Sequence, residues 1–210
     1  LNLGKRDFNK EASSWDDNPL RAKLANDVFR SISREIILLP TMDIMDFGCG
    51  TGLMSLQFHP SVHSITGFDS SEGMLEVFRK KIAQGNLKKT ETHHIDLDKG
   101  QSLSGQYHLI VSSMTLHHIK DVQSLLDQFY KLLLPGGYLC IADLDPDNGK
   151  FHDNNDGVFH QGFDRAVLRG LYNNVGFDSV RDVVATEVAK TGNDGISRKF
   201  SIFLMIGQKS

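Results

Sequence analysis

A chain of 210 residues with 40% hydrophobic and 23% charged side chains has the makeup of an ordinary globular protein and the length to bury a sizeable core. Its formal net charge of −3 offers no basic field for a nucleic-acid backbone, and no apolar run approaches the ~20 residues that span a bilayer. Neither nucleic acid nor membrane is therefore expected as a partner. The opening Leu1-Asn2-Leu3-Gly4-Lys5 lacks the apolar core of a secretion signal, and without an initiator methionine it leaves room for residues ahead of it. Two cysteines, Cys49 and Cys140, fall at expected strand ends. They read as small buried residues of a reducing, cytoplasmic compartment rather than as a disulfide framework.

The first strong element is a helix. Asn18 is placed to cap it and Pro19 to open it, and Leu20, Leu24, Val28, Ile32 and Ile36 recur every four residues, joined by Ala25 and Phe29, as far as Pro40. A strand is predicted at Met42–Phe47, then a glycine-rich turn and a helix from about Gly52 to Phe58. Val62–Phe68 reads as a second strand. Asp69-Ser70-Ser71 caps a helix with Met74, Leu75, Phe78 and Ile82 on one face, closed by Gly85-Asn86. Thr90–Ile95 is a weaker third strand and Tyr107–Ser113 a strongly apolar fourth. Asp121 caps a helix whose face is Val122, Leu125, Leu126, Phe129, Leu132 and Leu133. Pro135-Gly136-Gly137 is expected to stop that helix before a fifth strand at Tyr138–Asp143. The pattern lapses into a polar loop from Leu144 to Gly162, of the kind that often carries function. Asp164 then caps a helix with Val167, Leu168, Leu171 and Val175 inward, closed by Gly176. Val180–Ala189 and Lys199–Ile206 flank Gly192-Asn193-Asp194-Gly195 as a final hairpin.

This alternation predicts a doubly wound α/β fold, a mostly parallel sheet with helices on both faces and a C-terminal antiparallel hairpin. The length suits one domain over residues 1–210, divided into an N-terminal lid and helix (1–40), a core (41–143), a loop (144–163) and a C-terminal helix and hairpin (164–210).

The turn itself reads Met45-Asp46-Phe47-Gly48-Cys49-Gly50-Thr51-Gly52-Leu53. Glycines allow a sharp bend and a close ligand, and the N–H groups opening the next helix face that ligand unpaired. The spacing is G-x-G-x-G rather than the dinucleotide pattern G-x-G-x-x-G. Asp46, two residues before the first glycine, would repel a pyrophosphate and suit a cation. Asp69 follows Gly48 by 21 positions, where an acid accepts hydrogen bonds from ribose hydroxyls. Its alternative role, capping the next helix, can be taken by Ser70 or Ser71.

With these residues the chain resembles the class I S-adenosylmethionine-dependent methyltransferases, motif by motif over roughly residues 40 to 145 and by pattern elsewhere. The resemblance implies a Rossmann-like seven-stranded sheet with the last strand inserted antiparallel. It also implies S-adenosyl-L-methionine as cofactor, with S-adenosyl-L-homocysteine as product. It places the cofactor on Asp46, Gly48, Cys49, Gly50, Gly52, Asp69 and Ser70. It puts the adenine at Asp96 and Leu97, where a plain solubilising loop aspartate is the competing reading. The methionine part falls at Ser112 and Ser113. The stretch Ser113-Met114-Thr115-Leu116-His117-His118-Ile119 resembles small-molecule methyltransferases, including those of quinone biosynthesis, and lacks the Asn/Asp-Pro-Pro-Tyr of enzymes that methylate nucleobase or glutamine amino groups. Tyr107-His108 stands where relatives often have Phe-Asp. Phe8 to Asp16, F-x-x-x-A-x-x-W-D, resembles the family's lid, which would lay Trp15 over the sulfonium. Stapling of Trp15 onto the following helix is the local alternative.

Nine histidines include the neighbours His93-His94 and His117-His118, but neither H-E-x-x-H nor paired cysteines occur, so no metal is expected. His117, just past the fourth strand, either bonds locally or takes a substrate proton, and His160 lies in the loop expected to roof the acceptor. Three functions stay open. They are methyl transfer to a small-molecule acceptor by a monomer or homodimer, transfer to a macromolecule such as a protein, and cofactor binding without catalysis.

Overall fold

The computed structural model describes residues 7–210, so the readings made on Leu1–Lys5 lie outside the described residues. In chain order the elements are α1 (Phe8–Glu11), a 3-10 helix (Ala12–Asp17), α2 (Pro19–Glu35), β1 (Asp43–Phe47), α3 (Ser55–Phe58) and β2 (Ser64–Asp69). There follow α4 (Glu72–Gly85), β3 (Thr90–His94), β4 (Tyr107–Ser113), α5 (Val122–Leu132), β5 (Leu133–Leu144), α6 (Arg165–Val175), β6 (Asp178–Thr191) and β7 (Ser197–Gln208). The strands form one seven-stranded sheet in the order β3-β2-β1-β4-β5-β7-β6. Pairs up to β4–β5 are parallel, while β7 runs antiparallel to both β5 and β6. The expected doubly wound sheet with a terminal antiparallel hairpin is the fold.

Side chains alternate across each strand, so the sheet has two covered faces. Met45 and Phe47 of β1 point to the face closed by α5 and α6, where Leu125, Leu126, Phe129, Leu168 and Tyr172 pack. Ile44 points the other way, to Leu24, Ala25, Val28 and Ile32 of α2 and Phe58 of α3. Asp46 shares that second face by the same alternation. Order 3-2-1-4-5 reverses the direction of winding between β1 and β4, and the crevice beyond their carboxyl ends is where such sheets take ligands.

Helix starts follow the expected caps. Asn18 Oδ1 accepts from the Leu20 N–H at 2.9 Å, Ser71 Oγ from Met74, Asp121 from Ser124, and Asp164 from Ala166 and Val167. Three expectations need correction. The helix after the glycine turn covers only Ser55–Phe58, because Gly52 adopts φ +80° and remains in the turn. Pro135-Gly136-Gly137 does not precede the fifth strand but lies inside it. Leu133 already pairs with Tyr107, and the register shifts before Leu109 meets Tyr138. Gly136, at φ +78°, lets the chain bulge there without leaving the sheet. Val167 faces solvent at 65% exposure, and α6 instead buries Leu168 and Tyr172.

Phe129 is wholly buried and meets Phe47 edge-on at 5.3 Å between ring centroids. Phe129→Ala is expected to cost about 3–5 kcal/mol of unfolding free energy in urea titration, and a loss under about 1 kcal/mol would contradict this packing.

Candidate active site

The glycine turn is fastened to its neighbour before any ligand is considered. The N–H groups of Gly48 and Cys49 both donate to the Phe68 carbonyl, at 2.8 and 3.1 Å. The three glycines then serve different ends. Gly48 has φ +73°, and a Cβ there would lie 2.1 Å from Thr115 Oγ1. A Cβ on Gly52 would lie 2.5 Å from the Phe78 ring. Around Gly50, at φ +53°, no atom of the described residues beyond its two chain neighbours lies within 4 Å of such a Cβ. Packing therefore demands Gly48 and Gly52, whereas Gly50 borders open space.

That space is a cavity of about 960 Å³ at the carboxyl ends of β1, β2 and β4. Asp46, Gly48, Cys49, Gly50, Asp69 and Ser70 line it from the first two strands. Asp96, Leu97, Ser113, His117 and Trp15 line it from elsewhere. Three candidates do not. Gly52 packs on Phe78. Ser112 is buried, with its Oγ donating to the Phe47 carbonyl at 2.8 Å, which ties β4 to β1. His160 is turned away, its Nε2 2.9 Å from the Ile119 carbonyl and its ring against Phe163.

Two carboxylates dominate the electrostatics. Asp46 is 2% exposed; Oδ2 accepts from Ser55 Oγ, and Oδ1 has no hydrogen-bond partner among the described residues. Burial, against the Ser55 bond and with added repulsion from Asp69, pushes its pKa up to about 7. Asp69 accepts from the Gly50 N–H and the Ser71 N–H, both at 2.8 Å, so it shapes the turn from across the crevice. Burial raises its pKa despite those bonds. Ser71, not Asp69, caps α4. Asp96 caps the short 3-10 helix Leu97–Lys99 and pairs with Lys99.

The segment from Phe8 to Asp17 closes one side. Asn9 Oδ1 accepts from Ser71 Oγ at 2.9 Å and the Gly73 N–H at 2.8 Å. Asp16 accepts from Thr51 Oγ1 at 2.6 Å and pairs with Lys81 at 2.5 Å. One face of the Trp15 ring is covered by the Arg21 guanidinium, 3.5 Å from the ring centroid. The indole thus meets a cation that belongs to α2. The 144–163 segment adds Phe151 and His152 to the lining.

Behind His117 lies a second buried acid. Asp143 is fully buried in β5, and its Oδ1 is 2.8 Å from His117 Nδ1. The His117 and Leu144 N–H groups donate to the same carboxylate at 3.2 and 2.7 Å. Burial opposes its charge, but the adjacent His117 and these hydrogen bonds prevail, and its pKa is lowered. The pairing spans 26 residues of sequence. An acid ending a strand beside another strand's histidine was the available signal. Asn9, Thr51 and Asp16 were not singled out, since hydroxyl and amide contacts leave no spacing pattern.

A family profile described as a methyltransferase domain matches residues 20–182. This chain belongs to the S-adenosylmethionine-dependent methyltransferase family. An uncharacterized methyltransferase of Schizosaccharomyces pombe is 36% identical over 120 residues, covering 54% of this chain and 42% of the relative. Demethylmenaquinone methyltransferase of Listeria monocytogenes is 28% identical over 110 residues, 50% of this chain and 46% of the relative. The chain thus spans under half the length of either relative. Among solved structures, the YcgJ protein of Bacillus subtilis superposes with a TM-score of 0.73 at 13% identity, over 88% of this chain and 98% of its own. Phosphoethanolamine N-methyltransferase 2 of Haemonchus contortus, in complex with S-adenosyl-L-methionine, gives 0.71 at 13% identity, over 98% of this chain and 60% of its own.

The methyltransferase cavity fits the family's cofactor on its own terms. S-adenosylmethionine carries an ammonium and a sulfonium and no phosphate. The open acceptor on Asp46 suits a cationic donor, and the room beside Gly50 admits a ligand against bare backbone. The glycines should separate by experiment. Gly48→Ala is expected to lower thermal stability through its collision with Thr115, by about 1–3 kcal/mol. Gly50→Val sets a β-branched residue at φ +53° and is expected to lower stability too, but the folded protein should lose cofactor binding by calorimetry. Unchanged affinity in folded Gly50→Val would contradict the assignment of that space.

Proposed function

We propose that this methyltransferase passes the methyl group of S-adenosylmethionine to a small molecule held in the same cavity. The observation that carries the reading is the buried, half-satisfied Asp46 carboxylate beside open space at the glycine turn. Asp46 would hold the cofactor's ammonium, Asp69 its ribose, Asp96 and Leu97 its adenine, and Ser113 its methionine part. The cofactor supplies a methyl group already activated on sulfur. The protein's task is to align an acceptor with that methyl and keep water out. Phe8, Trp15, Phe151 and His152 wall the cavity, which favours a small acceptor over a protein segment. The demethylmenaquinone and phosphoethanolamine enzymes named above likewise take small molecules by their names.

Titration of Asp46 gives the test. Its folded pKa, about 7, stands above the ordinary carboxylate value. The folded state keeps a proton that the unfolded chain loses, so the ligand-free protein is expected to lose stability as pH rises from about 4 to about 7. A cation on Asp46 favours the carboxylate and expels that proton. Cofactor affinity should therefore rise with pH, about tenfold per unit below pH 7, and fall again once the cofactor's own α-ammonium loses its proton, at about pH 8. Calorimetry in buffers of different ionisation enthalpy should find about one proton released at pH 6, and uptake rather than release at pH 9, where the free cofactor's amine is neutral. Binding without proton release at pH 6 would contradict the role of Asp46.

A further inference from the structure

We propose that His117, oriented by Asp143, is the general base that takes the proton from a phenolic or enolic hydroxyl of the methyl acceptor. This rests on the methyltransferase reading and names the acceptor class for the same cavity. A carboxylate can only accept hydrogen bonds, so the 2.8 Å contact between Asp143 Oδ1 and His117 Nδ1 requires the proton on Nδ1. The lone pair of the neutral imidazole is then on Nε2. That atom is buried, has no hydrogen-bond partner among the described residues, and belongs to a residue that lines the cavity. A buried acceptor without a donor is costly, and an incoming hydroxyl removes the cost. The titratable side chains around the ring are Asp143 from β5, His118 with ring centroids 4.2 Å apart, and His152 of the 144–163 segment at 4.9 Å. His118 Nδ1 is directed to the Gly157 carbonyl at 2.7 Å.

Chemistry selects the hydroxyl. A neutral amine attacks through its lone pair and sheds a proton afterwards, whereas a phenol, with a pKa of about 10 like tyrosine, is a weak nucleophile until its proton is shared. Phe8, Trp15 and Phe151 line the same cavity and suit a flat ring. In the step, the acceptor O–H bond breaks and its proton goes to Nε2. The oxygen forms the new bond to the methyl carbon as the carbon–sulfur bond breaks, its electron pair staying on sulfur. Asp143 steadies the imidazolium until it releases the proton to solvent. Asp143 is thus a positioning residue.

The test pairs nuclear magnetic resonance with turnover. In ring-15N-histidine protein saturated with S-adenosylhomocysteine, the signal absent from His117→Gln should report a neutral His117 bearing its proton on Nδ1. In Asp143→Asn the proton should move toward Nε2. Turnover is measured with S-adenosylmethionine against catechol, 2-naphthol and 1,4-naphthohydroquinone, and against benzylamine and thiophenol. The hydroxyl acceptors should be methylated with a rate that climbs with pH to a plateau. His117→Gln should lose on the order of 10²–10⁴-fold in kcat together with that pH limb, at unchanged cofactor affinity. An Nε2–H tautomer in the wild-type complex, transfer confined to the amine or thiol or to no member of the panel, or an unaltered pH profile in His117→Gln would overturn the proposal. Failure of the wild-type protein to bind the cofactor by calorimetry would instead bring down the methyltransferase reading itself.

Discussion

A carboxylate buried at the carboxyl end of β1 constrains everything built around it. Asp46 is held by one hydroxyl, from Ser55, and its other oxygen has no partner among the described residues. An acid in that position resists ionisation in the empty protein, and burial is the main reason. Such a group weakens the fold unless something compensates it. The compensation is the large apolar investment on both faces of the sheet, where β1, β4 and β5 are flanked by buried aliphatic and aromatic side chains. Stability is supplied by the layers, and the strand ends are free to carry unsatisfied chemistry.

The same separation of duties runs through the turn. Gly48 and Gly52 answer to Thr115 and Phe78, so packing requires both. Gly50 has no such neighbour among the described residues and borders the cavity. Asp69 reaches from β2 to the Gly50 N–H and fixes the turn while it lines the crevice. The N-terminal segment is then bound to this turn rather than to the sheet, through Asp16 to Thr51 and Lys81 and through Asn9 to Ser71 and Gly73. The N-terminal segment, turn and α4 form one hydrogen-bonded unit, so a change at the turn reaches a segment that lines the cavity.

Local chemistry made most of the fold legible in the sequence. Asn18, Ser71, Asp121 and Asp164 act as helix caps because capping depends on a few adjacent residues. The Asp46, glycine and Asp69 pattern was readable because a strand–turn–helix unit fixes its spacing. What was not legible depends on contacts distant in sequence. Pro135-Gly136-Gly137 looks like a break, yet pairing of Leu133 with Tyr107 keeps it within the sheet. Ser112 and His160 carry polar atoms near the site, but a backbone carbonyl claims each. Val167 matched the apolar stripe of α6, and only the docking angle of that helix exposes it. The His117–Asp143 pair joins the ends of two parallel strands, and neither residue alone reveals the other.

The central claim is that the open oxygen of Asp46 awaits a cationic ligand at the glycine turn. A crystal structure of the protein with S-adenosylhomocysteine tests it most directly. The expected result places the ligand's amino group on Asp46 Oδ1, its ribose on Asp69 and its chain against Gly50. A ligand seated elsewhere, or one that leaves Asp46 Oδ1 without a partner, would contradict the account.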